Sequence, residues 1–345
     1  MDVRRLDLLR ELAERGSVTA VAEATGRTPS AVSQQLKVLE REAGMPLTER
    51  SGRGIVLTSA GHALARSATE VAVALERASS LWDEFRNHPS GEVTLLTFPT
   101  IGATVLPQVL SDLRSVAGLV VRATDLDPEL AEFPDLTNDY DIVLAHTMPG
   151  ELPWGGRGLR ALPLLTEPLD IGLPADHRLA GRSHVTPADL VDETWLGVPP
   201  GFPFERILHA IEQAGGRRVE VSQRFSDMRI IEAFIGAGLG IAFVPRYTSG
   251  VLPSNLVLKP LRGVPSVRQI FALVRPDVAE RLAVRTVLEV LVDRAARLEQ
   301  AYDHPSRGSG ADRAAQEPGT ADAADAADAD RSGRPAVDAA APTPH

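Results

Sequence analysis

The chain of 345 residues contains no cysteine. That excludes disulfides, thiolate zinc sites, iron–sulfur clusters, thiol redox sensors and cysteine nucleophiles. It also has no run of eighteen apolar residues, so no membrane-spanning helix is expected. Met1-Asp-Val-Arg-Arg lacks the apolar centre of a signal peptide, and the chain is read as cytoplasmic. Nor is there an excess of basic charge: 36 Lys+Arg stand against 46 Asp+Glu, a net of −10. That deficit is uneven. Residues 1–60 carry nine basic against eight acidic side chains, while residues 89–303 carry 20 against 27. Only the front is locally neutral to basic, and local charge is what a phosphate backbone meets.

What is present is an ordinary globular composition, 43% hydrophobic and 24% charged. It excludes collagen-like and wholly disordered chains, and the length predicts two or three domains. Residues 304–345 are different, with thirteen Ala, seven acids, five Pro and four Gly. Such a segment buries too little to fold and is expected to be a disordered acidic tail.

At the front, Val3, Leu6, Leu9 and Ala13 repeat at helical spacing, and Gly16-Ser17 supplies a stop and a new N-cap. A second short helix over 18–24 ends at Thr25-Gly26. Thr28-Pro29 then reads as an N-cap followed by an N1 proline, where the missing amide costs nothing. The third helix runs to about residue 43 with Val32, Leu36, Leu39 and Ala43 inward. Two helices joined by a short glycine turn make a helix-turn-helix. Ser30, Ser33, Gln34 and Lys37 lie on the outward face of the third helix, and Arg41 extends the stripe. Small hydroxyls, an amide and cations so placed suit a major groove of double-stranded DNA. Residues 51–58 read as a wing, a glycine-flanked turn presenting Arg50 and Arg53 before an apolar strand.

A long helix follows over about 59–86. Leu64, Ala68, Val71, Leu75, Ala78, Trp82 and Phe85 alternate at spacings of four and three, the seam of a pairing helix. Leu64, Val71, Leu75, Trp82 and Phe85 are the dimerisation candidates. Residues 88–91 end it.

From residue 92 strands and helices alternate, which predicts an α/β fold with a mainly parallel sheet. Strands are expected over 93–98, 119–126, 141–145, 159–165, 169–173, 195–198, 218–222, 240–244, 256–261 and 269–274. Helices are expected over 100–116, from Thr186-Pro187, over 204–214, from Ser226-Asp227 and over 278–300. Ten strands call for two lobes. Ligands of such sheets sit beyond strand ends, at helix N-termini. Phe98-Pro99-Thr100-Ile101 and the Pro199–Phe204 turn are two such places. Ser226-Asp227 is a third, although an Asp there would already fill an anion position. A small-molecule effector is expected, and its anionic character rests on those N-termini alone.

The runs Thr28-Pro-Ser-Ala-Val-Ser-Gln-Gln-Leu-Lys-Val-Leu-Glu40, Gly44-Met-Pro-Leu47, Arg50 to Thr58 and Ala60-Gly61 resemble the N-terminal domain of LysR-type transcriptional regulators. Phe98 to Pro107, Pro174 to Leu179 and Ala237 to Pro245 resemble that family's effector domain. The resemblance spans about residues 1–300. It implies an α/β protein with an N-terminal winged helix-turn-helix (1–58), a dimerisation linker helix (59–88), and a two-lobed, periplasmic-binding-protein-like effector domain (91–303). Lobe one would comprise 91–164 and 268–303, and lobe two 168–262, with crossovers near 164–168 and 262–267. It further implies a homodimer or homotetramer, Arg53 at the adjacent minor groove or backbone, and Thr100, Pro200, Phe204, Ser226 and Val244 around the inter-lobe cleft. The acidic, proline-containing stretch 126–141 departs from the family pattern and suggests a shortened second helix in lobe one.

The competing class is an enzyme whose α/β catalytic domain is tethered to a DNA-binding module. No G-x-S-x-G, G-x-x-x-x-G-K-[ST] or H-E-x-x-H occurs. Gly236-Ala-Gly-Leu-Gly240 follows a helix and opens a strand, the wrong order for a phosphate loop. The eight histidines never fall three to five apart, so no local metal site and no cofactor is expected.

Overall fold

A computed structural model of the chain describes residues 1–52, 54–86, 89–202 and 204–303. The expectations for Arg53, for His88 and for the 304–345 tail lie outside the described residues.

Helix α1 (Val3–Arg15) is capped by Asp2 and closed by Gly16 at φ 69°. Helix α2 (Val18–Ala24) starts on a Ser17 cap. Helix α3 (Pro29–Ala43) starts on Thr28, whose hydroxyl accepts from the Ala31 amide at 3.2 Å. The inward face of α1 is broader than the predicted stripe: Leu6, Leu8, Leu9 and Leu12 are buried, while Val3 and Ala13 are exposed. The reason is that α1 is wedged between α3 and the long α4 (Ser59–Phe85), so two flanks of it are covered. Strands β1 (Thr48–Ser51) and β2 (Gly54–Leu57) form the wing hairpin, with Arg50 opposite Ile55. A side chain at Gly61 would come within 2.1 Å of the Leu47 carbonyl, so only glycine lets α4 start against this hairpin.

The remaining residues form two α/β lobes sharing one sheet. Strands β3 (Gly91–Thr97), β4 (Leu119–Asp125) and β5 (Ile142–Thr147) are parallel, with β3 central. Strand β6 (Arg160–Pro174) is a single 15-residue strand where two short ones are predicted. Its first half pairs antiparallel with β11 (Val267–Val274). Its second half pairs antiparallel with β9 (Ala242–Pro245) and β10 (Leu256–Lys259). The sheet is therefore mixed, not mainly parallel, because the chain reaches lobe two and returns by extended crossings instead of helical ones. Strands β7 (Thr194–Gly197) and β8 (Glu220–Arg224) are parallel to each other, and Trp195 bridges Ile241 beside β9.

The helix predicted over 100–116 is two pieces, α5 (Pro99–Thr104) and α6 (Leu106–Leu113). Pro107 cannot donate to the preceding turn, which places the break at Val105. Helix α7 (Phe133–Leu136) is only four residues, as the acidic, proline-containing stretch suggested. Lobe two adds α8 (Pro187–Leu190), α9 (Phe204–Gly215) and α10 (Met228–Gly236). A 3-10 turn (Val278–Glu280) leads into α11 (Leu282–Asp303), which packs on lobe one beside α6. Each lobe has a main core of its own. Ile101, Val109, Ile270 and Val287 belong to the first, and Ile171, Trp195, Ile235 and Val244 to the second.

Candidate functional site

Two surfaces carry polar chemistry. The first is the outward face of α3. Val32, Leu36 and Leu39 anchor it to α1 and α2, which leaves Ser30, Gln34, Lys37 and Arg41 exposed and Ser33 half-buried. The helix starts cleanly because Thr28 and Pro29 satisfy or remove its first amides. Arg50 is exposed on β1, beside this face through a clamp that the sequence reading did not single out. Glu40 Oε1 accepts from the amides of Leu47 and Thr48 at 3.0 and 2.9 Å and from the Thr48 hydroxyl at 2.8 Å. One carboxylate on α3 thus fixes where the wing starts. Gln35, also passed over, accepts from Arg5 Nε at 3.0 Å and ties α3 to α1.

On α4, the seam residues Val71, Leu75, Trp82 and Phe85 are exposed, the last two at 60% and 80%, with their rings stacked 5.6 Å apart. Leu64 instead packs against the helix-turn-helix core. The opposite face of α4 is occupied: Arg77 reaches Glu280 at 3.2 Å and the Ser80 hydroxyl donates to the Glu280 carbonyl. Among the described residues, the apolar seam is consequently left without a partner inside the protomer.

The second surface is a cavity of about 850 Å³ between the lobes. Lobe one contributes the ends of β3, β4 and β5 and the start of α5; lobe two contributes Phe204 and the start of α10. Of the sequence-derived residues, Thr100, Phe204 and Ser226 line it. Ile101, Pro200 and Val244 do not. Ile101 faces inward from α5 into the first core, Val244 lies on β9 within the second, and Pro200 is exposed on the turn before α9.

The centre of the cavity is Arg268, a residue sequence reasoning missed because a lone arginine in a strand carries no motif. Its Nε donates to Glu167 Oε2 at 2.8 Å, and its Nη2 donates to the hydroxyls of Thr100 and Thr248 at 2.9 and 2.8 Å. The guanidinium lies over the Phe98 and Phe204 rings, 5.2 and 5.9 Å from their centroids. Glu167 is fully buried and also accepts from the amides of Tyr247 and Thr248 at 2.8 and 2.7 Å. Charge on each partner is thereby matched inside the fold.

His146, at the cavity end of β5, is buried, with Nε2 3.3 Å from Asp127 Oδ1 and, among the described residues, no hydrogen-bond partner on Nδ1. Burial pushes this imidazole below its ordinary value, against the opposing pull of Asp127, so it is neutral and its Nε2–H donates to the carboxylate. Burial likewise raises Glu232. The wall bears four carboxylates, Asp125, Asp127, Asp227 and Glu232, against Arg229 and Arg268. Arg268 is neutralised by Glu167. Asp227 caps α10, accepting from the Arg229 amide at 2.9 Å, and holds the Arg229 side chain. The N-terminus of α10 is therefore filled by Asp227 itself, as its sequence suggested.

Residues 86–296 match the LysR substrate binding domain, and residues 3–62 match the bacterial regulatory helix-turn-helix protein of the lysR family. The chain belongs to the LysR family of transcriptional regulators. The Transcriptional dual regulator GltC of Bacillus subtilis is 26% identical over 307 residues, covering 87% of this chain and 99% of that protein. The Hca operon transcriptional activator HcaR of Escherichia coli is 25% identical over 308 residues, covering 86% and 99%. In fold, the chain is similar to full-length OxyR from Pseudomonas aeruginosa, with a TM-score of 0.56 at 20% identity, covering 86% of this chain and 97% of that one. Corynebacterium glutamicum OxyR gives 0.52 at 22% identity, covering 88% and 96%.

This LysR-family chain is a ligand-responsive, DNA-binding transcriptional regulator. It is not an enzyme, and the tethered-catalyst reading is set aside on that ground. Its fold is the helix-turn-helix joined to a periplasmic-binding-protein-like α/β domain. Among the described residues, no helix is long and apolar enough to cross a membrane.

Proposed function

We propose that α3 enters the major groove of double-stranded DNA, with Ser30, Ser33 and Gln34 at base edges and Lys37 and Arg41 at phosphates. Arg50 and Arg53 of the wing reach the flanking backbone or minor groove. Residues 1–58 act as the DNA-binding unit, 59–88 as the linker helix and 91–303 as the effector domain, with lobe one at 91–164 and 268–303 and lobe two at 168–262. Residues 304–345 are an acidic tail. The α4 seam pairs two cytoplasmic copies into a dimer, alone or within a tetramer. The effector occupies the cavity around Arg268, meeting Thr100, Phe204 and Ser226, and binding better to one closure state shifts the oligomer on DNA. With Arg268 neutralised and carboxylates in excess on the wall, a neutral or cationic effector fits better than an anion.

The observation carrying this reading is the exposed hydroxyl, amide and ammonium stripe on α3 beside a wing held by Glu40. Anisotropy of full-length protein on the DNA upstream of its own gene, across a salt series and against scrambled competitor, tests it. Specific, salt-dependent binding is expected. Lys37→Gln should lower the salt slope by about one, and exchanging Gln34 should change the preferred sequence in a binding-site selection. An unchanged slope removes Lys37 from the phosphate contacts; indifference to sequence in the parent overturns the reading.

A further inference from the structure

The DNA-binding unit and lobe one touch through ion pairs, of which Arg10–Asp277 is buried. On α1, Arg10 Nη1 is 2.7 Å from Asp277 Oδ2, and both residues are buried. Arg275 Nη1 lies 3.2 Å from Glu11 and 3.3 Å from Glu14. Arg15 reaches Asp139 at 3.0 Å. At Arg10 and Asp277 the contact is not neutral glue, because both ions are buried away from water and are stable only while partnered. The register is incomplete: among the described residues, Arg10 Nε, Arg275 Nε and Asp277 Oδ1 are buried with no hydrogen-bond partner. A half-satisfied buried network is poised between arrangements, since a small displacement exchanges one set of pairs for another.

The lobe-one half of this clamp sits at the far ends of the two strands that enter the cavity. Arg275 and Asp277 directly follow β11, whose second residue is Arg268. Asp139 shortly precedes β5, which ends beside the cavity at His146. The two strands are antiparallel neighbours, Leu273 opposite Val143 and Ile270 opposite His146. From Arg268 to Arg275 is roughly 23 Å at about 3.3 Å per residue. Arg268 is also the residue bonded to both sides of the cavity, to Thr100 of α5 and to Glu167 and Thr248 at the lobe crossing.

We propose that the α1–lobe one ion clamp couples the cavity to the DNA-binding unit, with β5 and β11 carrying a displacement at Arg268 and His146 to Asp139, Arg275 and Asp277. The surface formed at those strand ends is a docking face for α1 of the same chain, and cavity occupancy sets how α1 is seated on it. This rests on the reading that the cavity holds the effector. The coupling is reciprocal: anything that holds the clamp in one arrangement changes affinity at the cavity by the same factor.

The test needs no known effector. Ser226→Trp fills the cavity and serves as the occupied state. Because the chain has no cysteine, Glu23→Cys and Ser115→Cys place one spin label on α2 and one after α6 without background. Labelled chain is diluted into unlabelled chain so that one protomer carries the pair. In the parent, Ser226→Trp should shift the label distance and change the DNA dissociation constant about fivefold or more. With Arg10→Asp both responses should vanish, and in the exchanged pair Arg10→Asp with Asp277→Arg they should return. Melting profiles confirm that each variant is folded, and the exchanged pair separates loss of the clamp from loss of fold.

Equal responses in all three backgrounds overturn the proposal and leave α4 as the route. A parent in which Ser226→Trp moves neither readout overturns it as well. Failure of the regulator reading is seen separately, as a parent that binds no DNA while the label distance, which requires none, still reports the clamp.

Discussion

His146 is held neutral by burial, with one ring nitrogen committed to Asp127 and the other without a hydrogen-bond partner among the described residues. Its folded-state value lies below its unfolded one, so the unfolded chain binds the extra proton as pH falls. The stability it contributes is therefore intact above the unfolded value near 6.5 and is lost as pH drops below it toward the folded value. His146→Gln, which does not titrate, should flatten the stability curve in that acid window while costing stability at pH 8 through lost packing against Phe98 and Phe133. Urea midpoints measured at intervals between pH 8 and pH 5 check this. A variant whose curve parallels the parent's would mean that His146 is not the group protonated on unfolding. Ser30, Gln34 and Lys37 could be read from sequence because helix three is amphipathic and its polar arc can face only outward. Arg268 could not, since its role depends on Glu167, about a hundred positions away, and on two hydroxyls from other elements.

The same difference separates the elements that were legible from those that were not. Helices α2 and α3 have the bounds their caps predict, because Ser17, Thr28 and Pro29 act on the next three residues and need no tertiary partner. The continuity of β6 depends on packing: the residues at 166–168 include Pro168, which suggests a strand end, yet Val267 pairs with it across the crossing. The heptad seam on α4 was also legible, and its exposed end yields a prediction. Trp82 and Phe85 stack on each other and are 60% and 80% exposed among the described residues. Large aromatics at the centre of an interface dominate its energy, at about 2 kcal/mol or more each. Trp82→Ala with Phe85→Ala should therefore raise the dimer dissociation constant by several hundredfold to about a thousandfold, at about 2 kcal/mol each, read by sedimentation equilibrium, without changing the fold by circular dichroism. An unchanged constant would place the pairing surface elsewhere.

At the scale of the whole molecule, two hydrophobic cores are joined by β6 and by the return into β11, and both chains cross where Glu167 and Arg268 meet. Leu169 and Ser266 reinforce the crossing, the Leu169 amide donating to the Ser266 carbonyl at 2.9 Å and the Ser266 hydroxyl donating to the Leu169 carbonyl at 2.5 Å. The ion pair there is almost wholly shielded, with side chains 0% and 4% exposed. Removing one member of such a pair leaves an uncompensated buried charge, a loss of about 3–5 kcal/mol, whereas replacing both by apolar residues of similar size is often close to neutral. Glu167→Ala should thus destabilise the protein by about that amount in urea unfolding. It should also broaden or split the effector-domain transition, because each lobe keeps its own core once the crossing loosens. Glu167→Leu with Arg268→Met should recover most of the midpoint yet leave the cavity without its central donor, so thermal stabilisation by any effector found should be weaker than in the parent. If Glu167→Ala costs under about 1 kcal/mol and the transition stays sharp, the continuous β6 alone joins the lobes. Arg268 would then serve the ligand and not the architecture.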